Sequence, residues 1–355
     1  MKTTILPTSL ILLTSFSRYC VGYKSALPAA TSSKVRERLG ASLSNPIISG
    51  RFLRSSRNIL RSQSTGENRG SRLRMANEGS VDKVHEKGLF LFDFDGVVCD
   101  SCDECTVSAW RTCHLLNAIK GDTSLSTTHP PQWLFDKMRE IRPAIEVGWQ
   151  IPVLLSVLME QNYASSPDCP AMTVPEILEN YESLVLTWLE QHSLIADDMI
   201  HTFGKVRDDW IENDLTSWLD INVFYHGIAK AISHCSGEVV LVTTKQQRFA
   251  TALVRHAGIP TSAMPDDSIY GLGMYKSKAD VIVERMTKRK TDPENTHFFE
   301  DRWPTIAKCL KDKRLEKVKF YLCSWGYCTP GEVALASQEP RVEVLSLDDF
   351  SKIVK

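Results

Sequence analysis

The chain has 355 residues, of which 43% are hydrophobic, 24% charged and 8% aromatic. These are the values of a globular protein, and they exclude a mainly disordered, collagen-like or coiled-coil chain. The net charge of -1 gives no electrostatic signature of nucleic-acid binding. No apolar run reaches the roughly 18 residues that a membrane-spanning helix needs.

Positive charge is concentrated at the amino-terminal end of the chain. Residues 1–75 contain 13 Lys and Arg but only two acids, which gives a net charge of +11, whereas the remainder has a net charge of -12. A short apolar run at residues 5–16 has the size of the apolar region of a signal peptide. The Arg- and Ser-rich tract that follows it is almost free of acids, as transit peptides are.

A signal segment followed by a transit-like segment resembles the bipartite presequences of algae with secondary plastids. We therefore interpret residues 1–84 as a disordered presequence, processed near Arg72–Ala76, that directs the protein to the plastid. A mitochondrial or secretory leader, or a basic arm that stays disordered, is the alternative. The mature protein is then expected to contain no integral membrane segment.

The body of the chain predicts an α/β fold with a doubly wound parallel sheet. Short apolar runs, which suit strands buried on both faces of a sheet, alternate with segments of helical periodicity. These runs are residues 89–92, 239–242, 297–299, 318–322 and 342–345. Polar residues follow several of them, and such residues converge at the carboxyl edge of a parallel sheet.

Residues 106–234 show helical periodicity and no run that suits a buried parallel strand. We therefore predict a mostly helical domain over 106–234, inserted into a core made of residues 85–105 and 235–355. Its bulky core material is expected to come from four tryptophans, Trp149, Trp188, Trp210 and Trp218.

The sequence FDFDGVVCDS at residues 92–101 carries the strongest chemical signal. Asp93 and Asp95 follow an apolar strand, and two carboxylates in such a crevice are costly unless a cation pairs with them. Mg²⁺ is the natural partner of hard oxygen ligands, and Gly96 allows a sharp turn. The pattern Asp-x-Asp-Gly alone also fits an exposed turn or a calcium loop, but the preceding run is too apolar for that loop.

This decamer resembles the first motif of the haloacid dehalogenase-like hydrolase superfamily: DxDG, two apolar residues, one variable residue and Asp-Ser. Further segments match the family's motifs in order, namely Thr243-Thr244-Lys245 after a strand, Lys278 at a helix start, and Glu300-Asp301. The segment Trp325-Gly326-Tyr327, after the next predicted strand, resembles a segment of phosphoglycolate-phosphatase-like members of the family. The resemblance covers about residues 88–347, and the insert matches the family's helical cap in position and length.

The fourth motif departs from the family's pattern. Its two acids are adjacent, and Thr305 stands where a second, spaced aspartate is expected. The sequence therefore does not decide whether Glu300 or Asp301 binds the metal directly. Lys276 also lies near the third motif, and we prefer Lys278 because it begins the predicted helix.

The resemblance implies catalytic roles for four residues. Asp93 attacks phosphorus and forms an aspartyl-phosphate, and Asp95 acts first as acid and then as base. The hydroxyl of Thr243 holds phosphoryl oxygens, and Lys278 neutralises charge there.

The resemblance also implies a set of residues for metal and substrate. Mg²⁺ is held by Asp93, the carbonyl of Asp95 and Asp301, with Glu300 bound directly or just behind. The amide of Thr244 joins Thr243 in holding the phosphoryl group.

These roles predict a Mg²⁺-dependent phosphatase of a small phosphorylated metabolite, with a phosphoglycolate-like substrate as a candidate. Asp95 argues against the superfamily's dehalogenases, which lack an acid at that place. Arg142, together with Arg139 and Glu146, is a candidate to reach the metabolite from the cap. A sugar phosphomutase is the alternative, because it uses the same pair of aspartates. A non-catalytic binding protein of the same fold is less favoured.

The presequence leads to a testable prediction. A fusion of residues 1–84 to a fluorescent reporter is expected to reach the plastid, and a fusion that lacks residues 1–22 is expected to stay in the cytosol, because the signal segment acts first. Fluorescence microscopy of the two fusions measures this. Secretion or mitochondrial import of the full fusion would contradict the bipartite interpretation.

Overall fold

The computed structural model describes residues 88–119, 126–164 and 171–354. The predicted presequence lies outside the described residues, so its interpretation stays a prediction. Among the described residues, none of the helices combines the length and the apolar character that crossing a bilayer requires.

A six-stranded sheet forms the core, and each pair of neighbouring strands in it is parallel. In chain order the strands of the described chain are β1 (Leu89–Phe92), β2 (Cys99–Asp100), β3 (Val223–Phe224), β4 (Glu238–Val242), β5 (Ile269–Tyr270), β6 (Thr296–Glu300), β7 (Lys319–Cys323) and β8 (Val342–Leu345). The spatial order β5-β4-β1-β6-β7-β8 places β1 in the centre. The predicted α/β class with a doubly wound parallel sheet is confirmed.

Helices precede β3 and then alternate with the later strands. They are α1 (Cys102–Leu115), α2 (Gln132–Ile141), α3 (Gln150–Ala164), α4 (Val174–His192), α5 (Ala196–Asp220), α6 (Ile228–Ser233), α7 (Gln247–His256), α8 (Lys278–Arg289), α9 (Trp303–Leu310), α10 (Pro330–Gln338) and α11 (Leu347–Ile353). Short 3-10 turns are Arg142–Ala144, Asp266–Ser268, Pro293–Asn295 and Lys313–Leu315.

Strand β1 is buried along its whole length, as its apolar sequence LFLF predicts. The ring of Phe92 stacks on that of Phe299 at 4.8 Å, and Phe299 stacks on Tyr321 at 4.6 Å. The five predicted strand runs all coincide with observed strands. Strand β5 was not predicted, because two residues are too few to show a periodicity.

The helices between β2 and β3 have an apolar core of their own. Trp188 and Trp110 are buried in it. Trp210 and Trp218 pack instead with the apolar cluster on one face of the sheet, where the ring of Trp218 lies 5.9 Å from that of Phe249 in α7. Trp149 is only half-buried. Helix α1 begins before residue 106, and the division into core and cap remains a prediction.

A two-stranded antiparallel ribbon lies where the helical segment leaves and rejoins the core. In it Cys99 pairs with Phe224 and Asp100 with Val223. The amide of Tyr225 continues the contact by donating to the carbonyl of Val98 at 3.2 Å.

Candidate active site

The site lies at the carboxyl edge of the sheet, beside the central strand. Strand β1 is flanked by β4 and β6, from which the chain runs outward in opposite directions, so a topological switch point falls there. The three predicted motifs that follow these strands are Asp93–Asp95, Thr243–Lys245 and Glu300–Asp301. The backbone amide of Asp93 donates to the carbonyl of Phe299 at 2.9 Å, which ties the first motif to β6.

Three buried carboxylates form a cluster at this edge. Asp93, Glu300 and Asp301 each offer an oxygen atom, and these atoms lie within 4.8 Å of one another. The ammonium of Lys278, at the start of α8, lies 2.9 Å from Oδ1 of Asp93 and 2.7 Å from Oε2 of Glu300. Of the two candidate lysines, Lys278 is therefore the one that joins the cluster, whereas Lys276 is exposed.

Burial and mutual repulsion shift the pKa values of these acids upward. Burial raises the pKa of Asp93 to about 7, against the opposing effect of Lys278. Burial, with the neighbouring charge of Asp93, raises the pKa of Asp301 to about 6. Burial also raises the pKa of Glu300. Full ionisation of all three acids beside a single ammonium is therefore unfavourable in the metal-free protein.

Two glycines make room for Asp301. Gly96 has φ +89°, and a Cβ atom there would lie 1.9 Å from Oδ2 of Asp301. A Cβ atom on Gly326 would lie 2.4 Å from the Cβ of Asp301. The amide of Tyr327 donates to Oδ2 of Asp301 at 2.7 Å. The backbones of the two loops therefore lie in close contact with Asp301. A residue larger than glycine at position 96 or 326 would prevent this contact.

The donor set fits a Mg²⁺ ion. Oδ1 of Asp301 is buried and has no hydrogen-bond partner in the part of the chain that the structure describes. Buried carboxylate oxygens need a partner, and an oxygen-only set suits a hard cation. Oε1 of Glu300 accepts the amide of Arg302 at 3.2 Å, and its Oε2 binds Lys278. Asp301 is accordingly the better placed of the two acids for direct ligation.

The second motif is buried next to β1. Thr243 has no exposed surface, and its hydroxyl accepts the amide of Lys245 at 3.0 Å. The hydroxyl of Thr244 donates to the carbonyl of Glu146 at 3.0 Å, which links this loop to the helical segment.

A network of buried charges that the sequence does not predict lies behind Asp95. Lys245 Nζ lies 3.2 Å from Oδ1 of Asp95 and 3.5 Å from Oε2 of Glu104. Arg207 binds both oxygens of Glu104, at 2.7 and 2.9 Å. Ser101 also donates to Oδ1 of Asp95. Lys245 and Ser101 lie in the quoted motifs, but nothing in the spacing indicates that Glu104 and Arg207 meet across 103 positions.

A cleft of about 460 Å³, part of it open to solvent, adjoins Asp95 and Thr244. Arg142 is a lining residue, and its guanidinium lies 4.2 Å over the ring of Tyr327. Its Nε is buried without a hydrogen-bond partner among the described residues. Glu146 also lines the cleft and pairs with Lys308 at 3.1 Å.

Arg139 does not reach the cleft lining. Its guanidinium is exposed and pairs with Asp100 at 2.6 Å and with Asp103 at 2.7 Å. Of the three cap residues proposed to reach the metabolite, Arg142 and Glu146 are the two that face the cleft.

Comparison with known proteins gives matches among solved structures only. No family model and no curated protein matches the chain. The chain is similar to a predicted phosphatase from Clostridium acetobutylicum, with 18% identity, 75% of this chain and 97% of that chain covered, and a TM-score of 0.45. It is also similar to a predicted phosphoglycolate phosphatase from Haemophilus somnus, with 14% identity, 77% and 100% coverage, and a TM-score of 0.47.

A third similar structure is a haloacid dehalogenase (HAD) superfamily hydrolase from Geobacter sulfurreducens. The two sequences are 10% identical. The match covers 67% of this chain and 88% of that chain, with a TM-score of 0.38.

The raised pKa values predict how the metal-free protein responds to pH. Because the folded-state pKa values of Asp93 and Asp301 lie above their unfolded values, both acids favour folding below about pH 4. That contribution is lost as the pH rises through 6 to 7. In chelator, Asp301→Asn is therefore expected to be more stable than the wild type at pH 8, by about 1–3 kcal/mol, and no more stable at pH 4.

Thermal denaturation at the two pH values measures this effect. Adding Mg²⁺ at pH 8 is expected to raise the Tm of the wild type, because the bound ion compensates the charge of the buried acids. The Tm of Asp301→Asn is expected to stay nearly unchanged, because this variant lacks the ligand. Equal responses of the two proteins to Mg²⁺ would contradict the proposed ligand.

Proposed function

We propose that this protein is a Mg²⁺-dependent phosphatase of a small phosphorylated metabolite that works through an aspartyl-phosphate on Asp93. One observation carries the proposal: Asp93 forms an ion pair with Lys278 inside a buried cluster that also contains Glu300 and Asp301. A carboxylate can act as a nucleophile only while it is ionised, and Lys278 favours that form. An ion pair between Asp93 and Lys278 that served only the fold would not need two further buried acids beside it, because each buried charge adds a desolvation cost.

The chain's own residues divide the chemistry among them. The Asp93 carboxylate attacks phosphorus, and Asp95 gives a proton to the departing oxygen. In the second step Asp95 takes a proton from the attacking water, and the Asp93 carboxylate is released together with inorganic phosphate. Lys278 balances charge on the phosphoryl oxygens throughout.

Asp93, Asp301 and the carbonyl of Asp95 would hold Mg²⁺, with Glu300 just behind. When bound, the ion supplies positive charge that neutralises the phosphoryl oxygens and makes phosphorus more electrophilic. Glu300 orients Lys278, because its Oε2 accepts from that ammonium.

The second motif and the cleft would bind the substrate. Thr243 and Thr244 follow β4, which pairs with β1, the strand that Asp93 follows. The Thr243 hydroxyl and the Thr244 amide would hold phosphoryl oxygens there. Arg142 brings a buried guanidinium to the cleft, and its unpartnered Nε leaves capacity for an anionic group of the metabolite. The helical segment around Arg142 would then act as the cap that selects the substrate, with a phosphoglycolate-like molecule as one candidate.

Replacing the nucleophile provides the first test. Asp93→Asn is expected to lower phosphate release by at least about 10³-fold and to leave the fold intact, because the amide is nearly isosteric but cannot attack phosphorus. Phosphate release from a panel of phosphorylated metabolites, with EDTA and with Mg²⁺, measures the effect. Asp348→Asn in α11 is a matched control, because Asp348 is exposed.

Turnover of Asp93→Asn within tenfold of the wild type would remove Asp93 from the nucleophilic role, and full wild-type activity in EDTA would overturn the metal requirement. Formation of an isomeric sugar phosphate instead of inorganic phosphate would show a phosphomutase.

Replacing the acid provides a second test. Asp95→Asn is expected to slow formation of the aspartyl-phosphate more with an alkyl phosphate than with p-nitrophenyl phosphate, by roughly 10²–10⁴-fold, because p-nitrophenolate leaves without a proton. Single-turnover kinetics with both esters measures the difference. Equal losses would mean that Asp95 does not protonate the leaving group.

A further inference from the structure

A continuous chain of four charged side chains runs from the site into the helical segment. It passes from Asp95 to Lys245, then to Glu104 in α1 and Arg207 in α5. The side chains of Lys245, Glu104 and Arg207 are at most 6% exposed. Neither the proposed phosphoryl transfer nor the proposed metal site uses these three residues. Removing one partner from such a buried network is strongly destabilising.

Glu104 is held firmly without the help of Lys245. Its two oxygens accept from Arg207, and its Oε1 also accepts from Ser108 at 2.6 Å and from the indole of Trp218 at 3.3 Å. The carboxylate is therefore a rigid anchor that joins α1 and α5. Its charge attracts the Lys245 ammonium, whose shorter contact is the one to Asp95.

The contacts of Asp95 differ between its two oxygens. Ser101 donates a hydrogen bond to Oδ1, and the Lys245 ammonium lies 3.2 Å from the same oxygen. These two contacts fix the carboxyl group through Oδ1 and leave Oδ2 directed away from them. The orientation of the carboxyl thus decides which oxygen faces the leaving group.

We propose that Lys245 is a positioning residue for the proposed reaction: it fixes Oδ1 of Asp95, with Glu104 and Arg207 as its anchor, so that Oδ2 faces the departing oxygen. The role rests on the proposed phosphatase function. Lys245 also lines the cleft, but in this role it acts through Asp95, so its loss affects the proton-dependent part of the reaction. Small misplacements of a reacting group lower rates strongly.

The main test replaces Lys245 with methionine, which keeps the length and apolar stem and removes the donor. Single-turnover formation of the aspartyl-phosphate is measured with an alkyl phosphate and with p-nitrophenyl phosphate. In Lys245→Met the loss with the alkyl ester is expected to exceed the loss with the aryl ester by about tenfold or more. In an Asp95→Asn background the same replacement is expected to add no further difference between the two esters.

Arg248→Met is the matched control. Arg248 forms an exposed ion pair with Asp208 of α5, at 2.7 Å, so the variant removes a contact between the same helix and the core without touching Asp95. It is expected to affect both esters equally. Lys245→Arg keeps the buried positive charge and so protects the fold, but its longer planar head group displaces the donor; it is expected to show the same bias as Lys245→Met.

The outcomes separate this role from the proposed function. If the wild type releases phosphate neither from these esters nor from any member of the metabolite panel, the proposed function fails and the role of Lys245 fails with it. If the wild type hydrolyses both and the folded Lys245 variants lose both equally, only the positioning role is overturned. A bias that persists undiminished in the Asp95→Asn background would also overturn it, because Lys245 would then act elsewhere.

Discussion

The Lys278 ammonium makes it possible to bury several carboxylates at the end of one strand. Asp93 and Glu300 both bind it, and Asp301 lies beside them without a cation of its own among the described residues. Breaking a buried ion pair by removing one partner typically costs about 3–5 kcal/mol. Ionising all three acids requires further positive charge, which a divalent cation would supply, and the same cation would offset the negative charge of a phosphoryl group.

The backbone places these charges accurately because the site is built at the ends of buried strands. Asp93 follows a strand that is paired on both sides, and its own amide still bonds to β6. Gly96 and Gly326 bring two loops within van der Waals contact of Asp301. A side chain at the end of a buried central strand has little conformational freedom to lose, which would favour the nucleophilic role proposed for Asp93.

The parts of the molecule that follow from local sequence were predictable, and those that depend on distant pairs were not. The apolar runs around Leu91 and Val240 identified central strands, because full burial leaves a continuous signal. Motif order indicated that Asp93, Lys278 and Asp301 belong to one site. Strand β5 is too short to be seen, and the pairing of Glu104 with Arg207 joins residues whose separation carries no periodicity.

The antiparallel pair of β2 and β3 has a consequence for how such a protein can vary. The chain leaves the core at Cys99–Asp100 and returns at Val223–Phe224, so the two ends of the intervening segment are neighbours in one ribbon. Paired residues in an antiparallel ribbon are only about 5 Å apart. Insertions or deletions between these two points therefore need not alter the register of the six-stranded sheet. The helical segment can therefore diverge in length and sequence while the sheet that carries the acidic cluster stays constant.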